Sequence, residues 1–293
     1  MRWLVYAALA TGMILFGSAT PIARFVTQDL PPLVASALRV LLAAVLLYPL
    51  AVRHGFRWRQ MDRGDMVRAG ILAAVGIYGF TVMLAYGMQR VPGVSGSIVM
   101  GTTPAVTAIA AVWFLGERST WRRWAAIVFA VAGVVLMRIT GTRAHFDLLG
   151  VSLVFGAVMA EATYTLVGKR LMERFDPLMT TAVATVLSVP LFLATAAFPA
   201  IGVDWSGVSS SVWLAVAAWG AGTLALGSYI WYRGVDQVPG HVAAPFMGLM
   251  PVSALVISYW LLGEDPAWWH AVGMGLILIG IALVVWDHRK QHG

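Results

Sequence analysis

The hydrophobic positions of the chain fall into blocks of about 20 residues, separated by short stretches that carry most of the charges. A helix rises 1.5 Å per residue, so a block of this length crosses roughly 30 Å of hydrocarbon. The pattern predicts ten membrane-spanning helices, numbered spans 1 to 10 in chain order. Their approximate limits are 3–25, 33–52, 66–86, 93–115, 121–138, 148–168, 179–200, 212–232, 240–262 and 268–286.

Composition strengthens the helical interpretation. Hydrophobic residues make up 60% of the chain and charged residues 11%, and the mean hydropathy is +0.81. A transmembrane β-barrel predicts alternating segments of about ten residues instead of continuous apolar runs. The first run passes Phe25 without a small-residue cleavage site, so we interpret it as a retained helix and not as a signal peptide. The sequence therefore predicts an all-α integral membrane protein with one transmembrane domain over residues 1–293.

The location of the positive charges predicts an orientation. The chain carries a net charge of +7, and 15 of its 20 Lys and Arg fall on the side of the two predicted termini. Positively charged loops remain in the cytoplasm. The pattern predicts cytoplasmic N- and C-termini and a location in the inner (cytoplasmic) membrane of a bacterium. The basic stretch 53–63 is interpreted as a membrane-surface loop, and no nucleic-acid partner is predicted.

The chain repeats itself at an offset of 147 positions. VPGVSGSIVMGTTP at 91–104 matches VPGHVAAPFMGLMP at 238–251, and the register holds from residue 87 to residue 136. A weaker match at an offset of 145 extends the repeat towards the start of each half. We predict repeat one at 1–145 and repeat two at 146–293. Because five spans is an odd number, the second repeat enters the membrane from the other side, an arrangement typical of carriers whose substrate binds at the midplane and whose access alternates.

Spans 4 and 9 combine small residues with prolines. Small residues at four-residue spacing let helix backbones approach closely, and a proline removes an internal hydrogen bond and bends or breaks the helix. Static kinks and moving hinges are both compatible with this pattern. The hinge candidates are Gly93, Gly101, Pro104, Gly240, Pro245, Gly248 and Pro251.

Several motifs resemble those of a known family. They are FGSATPIAR at 16–24, GMQRVPG at 87–93 after a tyrosine, a proline at 104, and WFLGE at 113–117 with its second copy WLLGE at 260–264. The chain resembles the ten-helix EamA-type transporters of the drug/metabolite transporter superfamily, and within them most resembles the YddG-type amino-acid exporters. The resemblance implies a basket of spans 1, 3, 4, 6, 8 and 9 around a central cavity, with spans 5 and 10 at the periphery.

Glu161 is the clearest ionisable residue inside a span. It lies about thirteen residues into span 6, and a charge at that depth costs about 2.5–3.5 kcal/mol. The carboxyl group can bind the ammonium group of an amino acid or take up a proton that couples transport. Alternatively, it is a protonated or hydrogen-bonded group that only joins helices.

Other charged residues are assigned to the framework. Arg39, two turns inside span 2, can attract a carboxylate or extend its stem outward to the interface, and a structural or electrostatic role is favoured. Arg24 and Lys169 match across the repeat and are interpreted as anchors at helix ends. Glu117 and Glu264 end spans 4 and 9, and we interpret them as residues that hold helix ends.

Aromatic and methionine side chains supply candidates for an apolar, adaptable pocket. Such a pocket suits aromatic and mostly uncharged solutes, although the same residue types are common at lipid-facing positions. Together with Glu161, the substrate-binding candidates are Tyr78, Met83, Met100, Tyr164, Phe246 and Met247.

These patterns favour a secondary transporter that exports amino acids across the bilayer. A multidrug or other metabolite carrier, with or without proton coupling, is the alternative within the same fold. An intramembrane enzyme would need a catalytic constellation, and the chain contains no Cys, no HExxH and no GxSxG. A membrane scaffold is the other rival, and neither a metal nor another cofactor is predicted.

Overall fold

The computed structural model describes residues 2–103, 105–107, 109–110, 121, 125, 128–129, 132, 147–235, 237 and 244–292. This part of the chain is almost entirely helical and contains no strand. Its α-helices are Arg2–Gly17, Ala19–Asp29, Pro32–Arg53, Arg63–Ile71, Phe80–Arg90, Gly93–Met100, Leu148–Met172, Pro177–Ile201, Ser210–Ala217, Ser228–Val235, Leu249–Leu262 and Trp268–His292.

Membrane-length apolar helices confirm the predicted spans 1, 2, 3, 6, 7 and 8. They cover Trp3–Asp29, Pro32–Arg53, Arg63–Arg90, Leu148–Met172, Pro177–Ile201 and Ser210–Trp231. Shorter apolar helices at Phe246–Leu262 and Trp268–Gly280 correspond to spans 9 and 10. Large apolar side chains face outward from the bundle, and Phe198, for example, is 84% exposed. A lipid environment satisfies such side chains, so the all-α membrane fold is confirmed.

Capping residues mark where several of these helices begin. Asp62, Asp147 and Asp176 each accept a hydrogen bond from a backbone N–H of the first turn, at 2.8, 3.1 and 2.7 Å. Such caps satisfy donors that have no partner within the helix. Spans 2 and 7 also start at a proline, Pro32 and Pro177, whose missing N–H costs nothing at that position.

The direction of the helices defines two ends of the bundle. The terminal end contains residue 2 and the turns at 54–62 and 173–176, and the opposite end contains 30–31, 91–92, 202–209 and 263–267. Each later mention of an end uses this definition.

Two pairs of spans pack closely in a matching manner. Span 3 lies against span 6, where a Cβ on Gly76 would come within 2.5 Å of Tyr164 and one on Gly87 within 2.7 Å of Val154. Span 8 lies against span 1, where a Cβ on Gly234 would come within 2.8 Å of Leu9. Only glycine permits these backbone approaches. The third span of each half therefore packs on the first span of the other half.

The same two third spans contain π-helical turns. These turns cover Leu72–Gly79 in span 3 and Ala218–Gly227 in span 8. They begin 146 positions apart, next to the 147-residue offset of the sequence match. A π-helical turn is uncommon and often lies at a functional site.

Candidate functional site

Glu161 lies near the middle of the 25-residue helix of span 6 and joins it to span 4. The hydroxyl of Thr103 donates to Oε2 of Glu161 at 3.1 Å. Thr103 is 4% exposed and Glu161 is half-buried. Among the described residues, no basic side chain forms an ion pair with this carboxyl group. Within that part of the chain, Glu161 is therefore an acidic group without a counter-ion.

The hydrogen bonds of Thr103 are compatible with both the ionised and the protonated form of Glu161. The same hydroxyl also donates to the backbone carbonyl of Met100 at 2.7 Å. A hydroxyl has one hydrogen and two acceptor sites, so a single hydrogen serves two acceptors when Glu161 is ionised. When Glu161 is protonated it donates to Thr103, which in turn donates to Met100, and every partner is satisfied. The site therefore accommodates both states of the carboxyl group, with a different direction of donation in each.

Span 4 is interrupted where it meets Glu161. The helix Gly93–Met100 gives way to a turn at Gly101 and Thr102, and helical structure resumes at Thr103. Pro104, a hinge candidate, lies outside the described residues. The interruption orients the Thr103 side chain, which the sequence analysis did not select. A hydroxyl beside a proline in an apolar span was the only signal for it.

Span 9 is irregular at its hinge candidates too. Ala244–Gly248, which includes Pro245, forms a 3₁₀-helix, and Gly248 leads into the α-helix that contains Pro251. Gly240 lies outside the described residues. At its other end the helix stops at Gly263, where φ is +63°, a left-handed value that glycine adopts at low cost.

The structure divides the aromatic candidates between different neighbours. Tyr164, one turn beyond Glu161, donates from its hydroxyl to Thr181 of span 7 at 3.2 Å. Tyr78 also meets span 7, edge-to-face with Phe192 at a centroid distance of 4.9 Å. Phe246 stacks on Tyr6 of span 1 at 5.9 Å.

The methionine candidates are divided in the same way. Met83 packs on span 6, since a Cβ on Gly156 would lie 2.7 Å from its sulfur atom. Met100 is 4% exposed, and Met247, next to Phe246, is half-buried. Met83 packs on the helix that contains Glu161, and the Thr103 hydroxyl connects Met100 to Glu161. Phe246 instead stacks on Tyr6, close to the terminal end.

Arg39 is buried and does not extend to the interface. It is 5% exposed, and its Nη1 donates to the hydroxyl of Thr81 at 2.8 Å. Its guanidinium carbon lies 5.0 Å from the centroid of Trp219 and 5.9 Å from that of Phe80. Among the described residues it forms no ion pair. The outward-extending alternative considered from the sequence is therefore wrong, because spans 3 and 8 enclose the side chain.

Glu264 holds a helix end, as the sequence analysis proposed. Its Oε1 accepts from the backbone N–H of Gly93, and its Oε2 accepts from that of Val94 at 2.9 Å. A carboxylate is stabilised at a helix N-terminus by these unpaired N–H groups and by the helix dipole. The contact joins the end of span 9 to the start of span 4 at the opposite end. Glu117, its counterpart in the repeat, lies outside the described residues.

The terminal end is joined by an ionic contact. Arg174, between spans 6 and 7, pairs with Asp62 and, at 2.6 Å, with Asp65 at the start of span 3. The backbone N–H of Asp65 and the Arg174 guanidinium lower the pKa of the Asp62 carboxyl. Arg24, nearer the opposite end, donates to the carbonyls of Met88 and Gln89 at the end of span 3, which is the anchoring role expected for it.

Comparison with known proteins yields a family match along nearly the whole chain. The model of the EamA-like transporter family matches residues 2–139 and 148–286. The chain is 28% identical over 286 residues to the uncharacterized transporter YetK of Bacillus subtilis. This alignment covers 96% of this chain and 86% of the relative.

Two further relatives have names that state a cargo. A probable terminal-alkyne amino-acid exporter of Streptantibioticus cattleyicolor is 27% identical, with 94% of this chain and 92% of the relative covered. An S-adenosylmethionine uptake transporter of Rickettsia felis is 21% identical, with 86% and 82% covered. One solved crystal structure matches with a TM-score of 0.69 at 18% identity, covering 98% of this chain and 99% of that one, and shows the shared fold.

Proposed function

Because the chain belongs to the EamA-like transporter family, we propose that it exports amino acids, aromatic and other mostly neutral ones, by alternating access between two inverted repeats. Glu161 carries the proposal. Its carboxyl group lies near the middle of span 6 and has one side-chain partner, Thr103, among the described residues. An ionisable group inside a span generally marks a substrate or proton pathway.

Glu161 matches the ammonium group of an amino acid. An ammonium group is a compact cation with three donors, and a carboxylate accepts several hydrogen bonds. The Thr103 hydroxyl leaves Oε1 of Glu161 available for such a partner. Met83 packs on the same helix one turn before Glu161, which supports an adaptable apolar surface for the side chain of the solute.

The named cargoes of two relatives support the same chemistry. Terminal-alkyne amino acids and S-adenosylmethionine both carry an α-ammonium and an α-carboxylate group, although the two proteins have opposite stated directions. We base export on the first of them, which is the more similar to this chain.

A lipophilic cation is the second candidate cargo. The observation that favours it is the same Glu161 carboxyl group, which pairs with no basic side chain in the described part of the chain. A cation without a carboxylate would use Glu161 alone, whereas an amino acid needs a second, positively charged partner.

The test is uptake of labelled amino acids into proteoliposomes that contain the purified protein, with phenylalanine, tyrosine and threonine in the panel, with and without a pH gradient. We expect saturable uptake that the other amino acids compete. Glu161→Gln retains the hydrogen-bonding shape but not the charge, and we expect it to reduce uptake at least about tenfold. Glu173→Gln, at an exposed position outside the spans, is the matched control and should transport normally.

Two outcomes would contradict the proposal. Wild-type rates in folded Glu161→Gln protein would remove Glu161 from the mechanism. Uptake of cationic drugs without any uptake of amino acids would replace the proposed cargo with the alternative one. A response of wild-type uptake to the pH gradient that is lost in Glu161→Gln would assign proton coupling to this carboxyl group.

The proposed orientation has cytoplasmic termini in the bacterial inner membrane and follows from the charge distribution. Because the chain contains no Cys, single cysteines can report it against no background. Arg57 and Ser206 are exposed at the terminal and opposite ends. In intact spheroplasts we expect an impermeant maleimide to label Ser206→Cys and to spare Arg57→Cys until the membrane is opened. The reverse pattern would invert the orientation.

A further inference from the structure

Arg39 is a buried cation whose hydrogen bonds are incomplete. The side chain is 5% exposed within span 2, and its Nη1 donates to Thr81. Its Nε has no acceptor in the described structure. A guanidinium has five N–H donors and no acceptor, and a buried donor without a partner is costly and calls for an explanation. The aromatic faces of Trp219 and Phe80 stabilise the charge but accept no conventional hydrogen bond from Nε.

Two neighbouring side chains are unpaired as well. Trp219 of span 8 is fully buried, and its Nε1 has no acceptor among the described residues. Ser36 lies three positions before Arg39 on the same face of span 2, and its hydroxyl is buried and unpaired in the same sense. Spans 2 and 8 touch at this point, since a Cβ on Gly220 would lie 2.6 Å from the carbonyl oxygen of Arg39.

The chemistry of this group is that of an anion site. Two N–H donors and a hydroxyl remain available, one donor belongs to a permanent cation, and no carboxylate of the described chain pairs with that cation. A guanidinium matches the planar geometry of a carboxylate particularly well. We refer to Ser36, Arg39 and Trp219 as the donor cluster.

The donor cluster lies at about the same depth as Glu161. Spans 3 and 6 run antiparallel, with Gly76 against Tyr164 and Gly87 against Val154. By this register Glu161 is level with about residue 79 of span 3, at 1.5 Å per residue. Arg39 contacts the next two residues of span 3, Phe80 and Thr81. The unpaired cation and the unpaired acid thus share one level of the bundle.

We propose that the donor cluster receives the carboxylate of the transported amino acid while Glu161 receives its ammonium group. This assignment rests on the proposed function and extends it to a second binding site. It explains why a cation with an unpartnered donor is retained deep in span 2, where a buried charge is costly. Access requires a movement of span 3 or span 8. Both contain a π-helical turn beside the cluster, at Leu72–Gly79 and Ala218–Gly227.

The test compares an amino acid with its amide. Phenylalanine and phenylalanine amide share the ring and the ammonium group, and only the first has a carboxylate. Uptake of each into proteoliposomes is measured for the wild type, for Arg39→Gln and for Trp219→Phe, which retains an aromatic ring without the N–H. We expect Arg39→Gln to raise the KM for phenylalanine at least about tenfold and to change the KM for the amide by less than about twofold. Trp219→Phe should act in the same direction with a smaller increase.

An increase in the KM for phenylalanine without one for its amide distinguishes a role of Arg39 in binding the carboxylate from a role in folding. If Arg39 only supports the fold, Arg39→Gln will reduce the uptake of both compounds equally, and the assignment is overturned. If Arg39→Gln does not fold, the KM values of Trp219→Phe for phenylalanine and its amide are compared in the same way. If the wild type carries phenylalanine but the variants leave the ratio of the KM values for phenylalanine and its amide unchanged, this assignment alone is overturned. A wild type that carries neither compound overturns the proposed function together with it.

Discussion

The two ends of the bundle are joined by different sets of contacts. At the terminal end, Arg174 of the second half pairs with Asp62 and Asp65 of the first half. At the opposite end, Glu264 of the second half accepts hydrogen bonds from the backbone of Gly93 and Val94 of the first half, and Arg90 of the first half forms an ion pair with Asp147 of the second half at 3.1 Å. The Arg174 contact needs three ionised side chains, and the Glu264 contact needs one ionised side chain and a helix N-terminus.

This difference has a consequence for a protein that is proposed to open at each end in turn. An exposed ion pair is screened by salt and contributes little. The side chains of Arg174 and Asp62 are 48% and 55% exposed, whereas that of Asp65 is fully buried. The Glu264 contact is partly buried and uses fixed backbone donors, so salt affects it less. We therefore expect the Glu264 contact to be less sensitive to salt than the Arg174–Asp62 pair.

The largest expected effect is on the opposite end. Glu264→Ala removes the acceptor for two helix N–H groups, a loss that typically costs about 0.5–2 kcal/mol. Ser258 lies in this contact and is fully buried, so Ser258→Cys reports its opening. We expect Glu264→Ala to accelerate labelling of that cysteine about tenfold, whereas Glu173→Ala at the terminal end leaves it unchanged. An unaltered labelling rate would mean that the carboxylate does not hold this end closed.

A smaller effect is expected at the terminal end. Thr180→Cys, at a position that is 3% exposed near the start of span 7, serves as the reporter. Arg174→Gln should accelerate its labelling about two- to threefold, and 0.5 M salt should have a similar effect on the wild type. The Ser258→Cys reporter should respond less to salt. Equal salt sensitivity at the two ends would remove the distinction between them.

The smallest effect is acid dependence at the terminal end. The backbone N–H of Asp65 and the Arg174 guanidinium lower the pKa of Asp62 in the folded protein. A lowered carboxyl pKa gives stability that is present above the unfolded pKa of about 3.9 and is lost as the pH falls through the folded value. Between pH 5 and pH 2, the wild type should therefore lose more thermal stability than Asp62→Asn. Identical decreases in Tm would show that the carboxylate contributes nothing measurable.

The reliability of the sequence reasoning varied with the range of the interaction. Spans 2, 6 and 7 were located to within a few residues, because the length of an apolar block reports the bilayer thickness directly. Spans 1 and 3 ended about four residues later than predicted, at Asp29 and Arg90, since charged residues are tolerated where a helix approaches the interface. The assignment of Glu264 to a helix end is supported by the contact itself.

The candidate site was harder to predict than the spans. Glu161 was selected because a charge is conspicuous in an apolar run, and its position near mid-span is observed. Thr103 and Trp219 were not selected, since a threonine and a tryptophan are ordinary in such runs. Arg39 was assigned to the framework because its sequence position allowed it to reach the interface. The contact with spans 3 and 8 that encloses it joins residues 42 and 180 positions away, and no local pattern records that.

The sequence by itself determined that the chain is an all-α membrane protein and where most of its helices lie, because hydrophobic length and helix capping are local properties. Only the tertiary structure decided which polar groups are partnered. It paired Glu161 with Thr103, left Ser36 Oγ, Arg39 Nε and Trp219 Nε1 without a partner among the described residues, and set Glu264 on a helix start. Hydrogen bonding inside a bilayer depends on which helices touch and at what depth, and both follow from packing between distant parts of the chain.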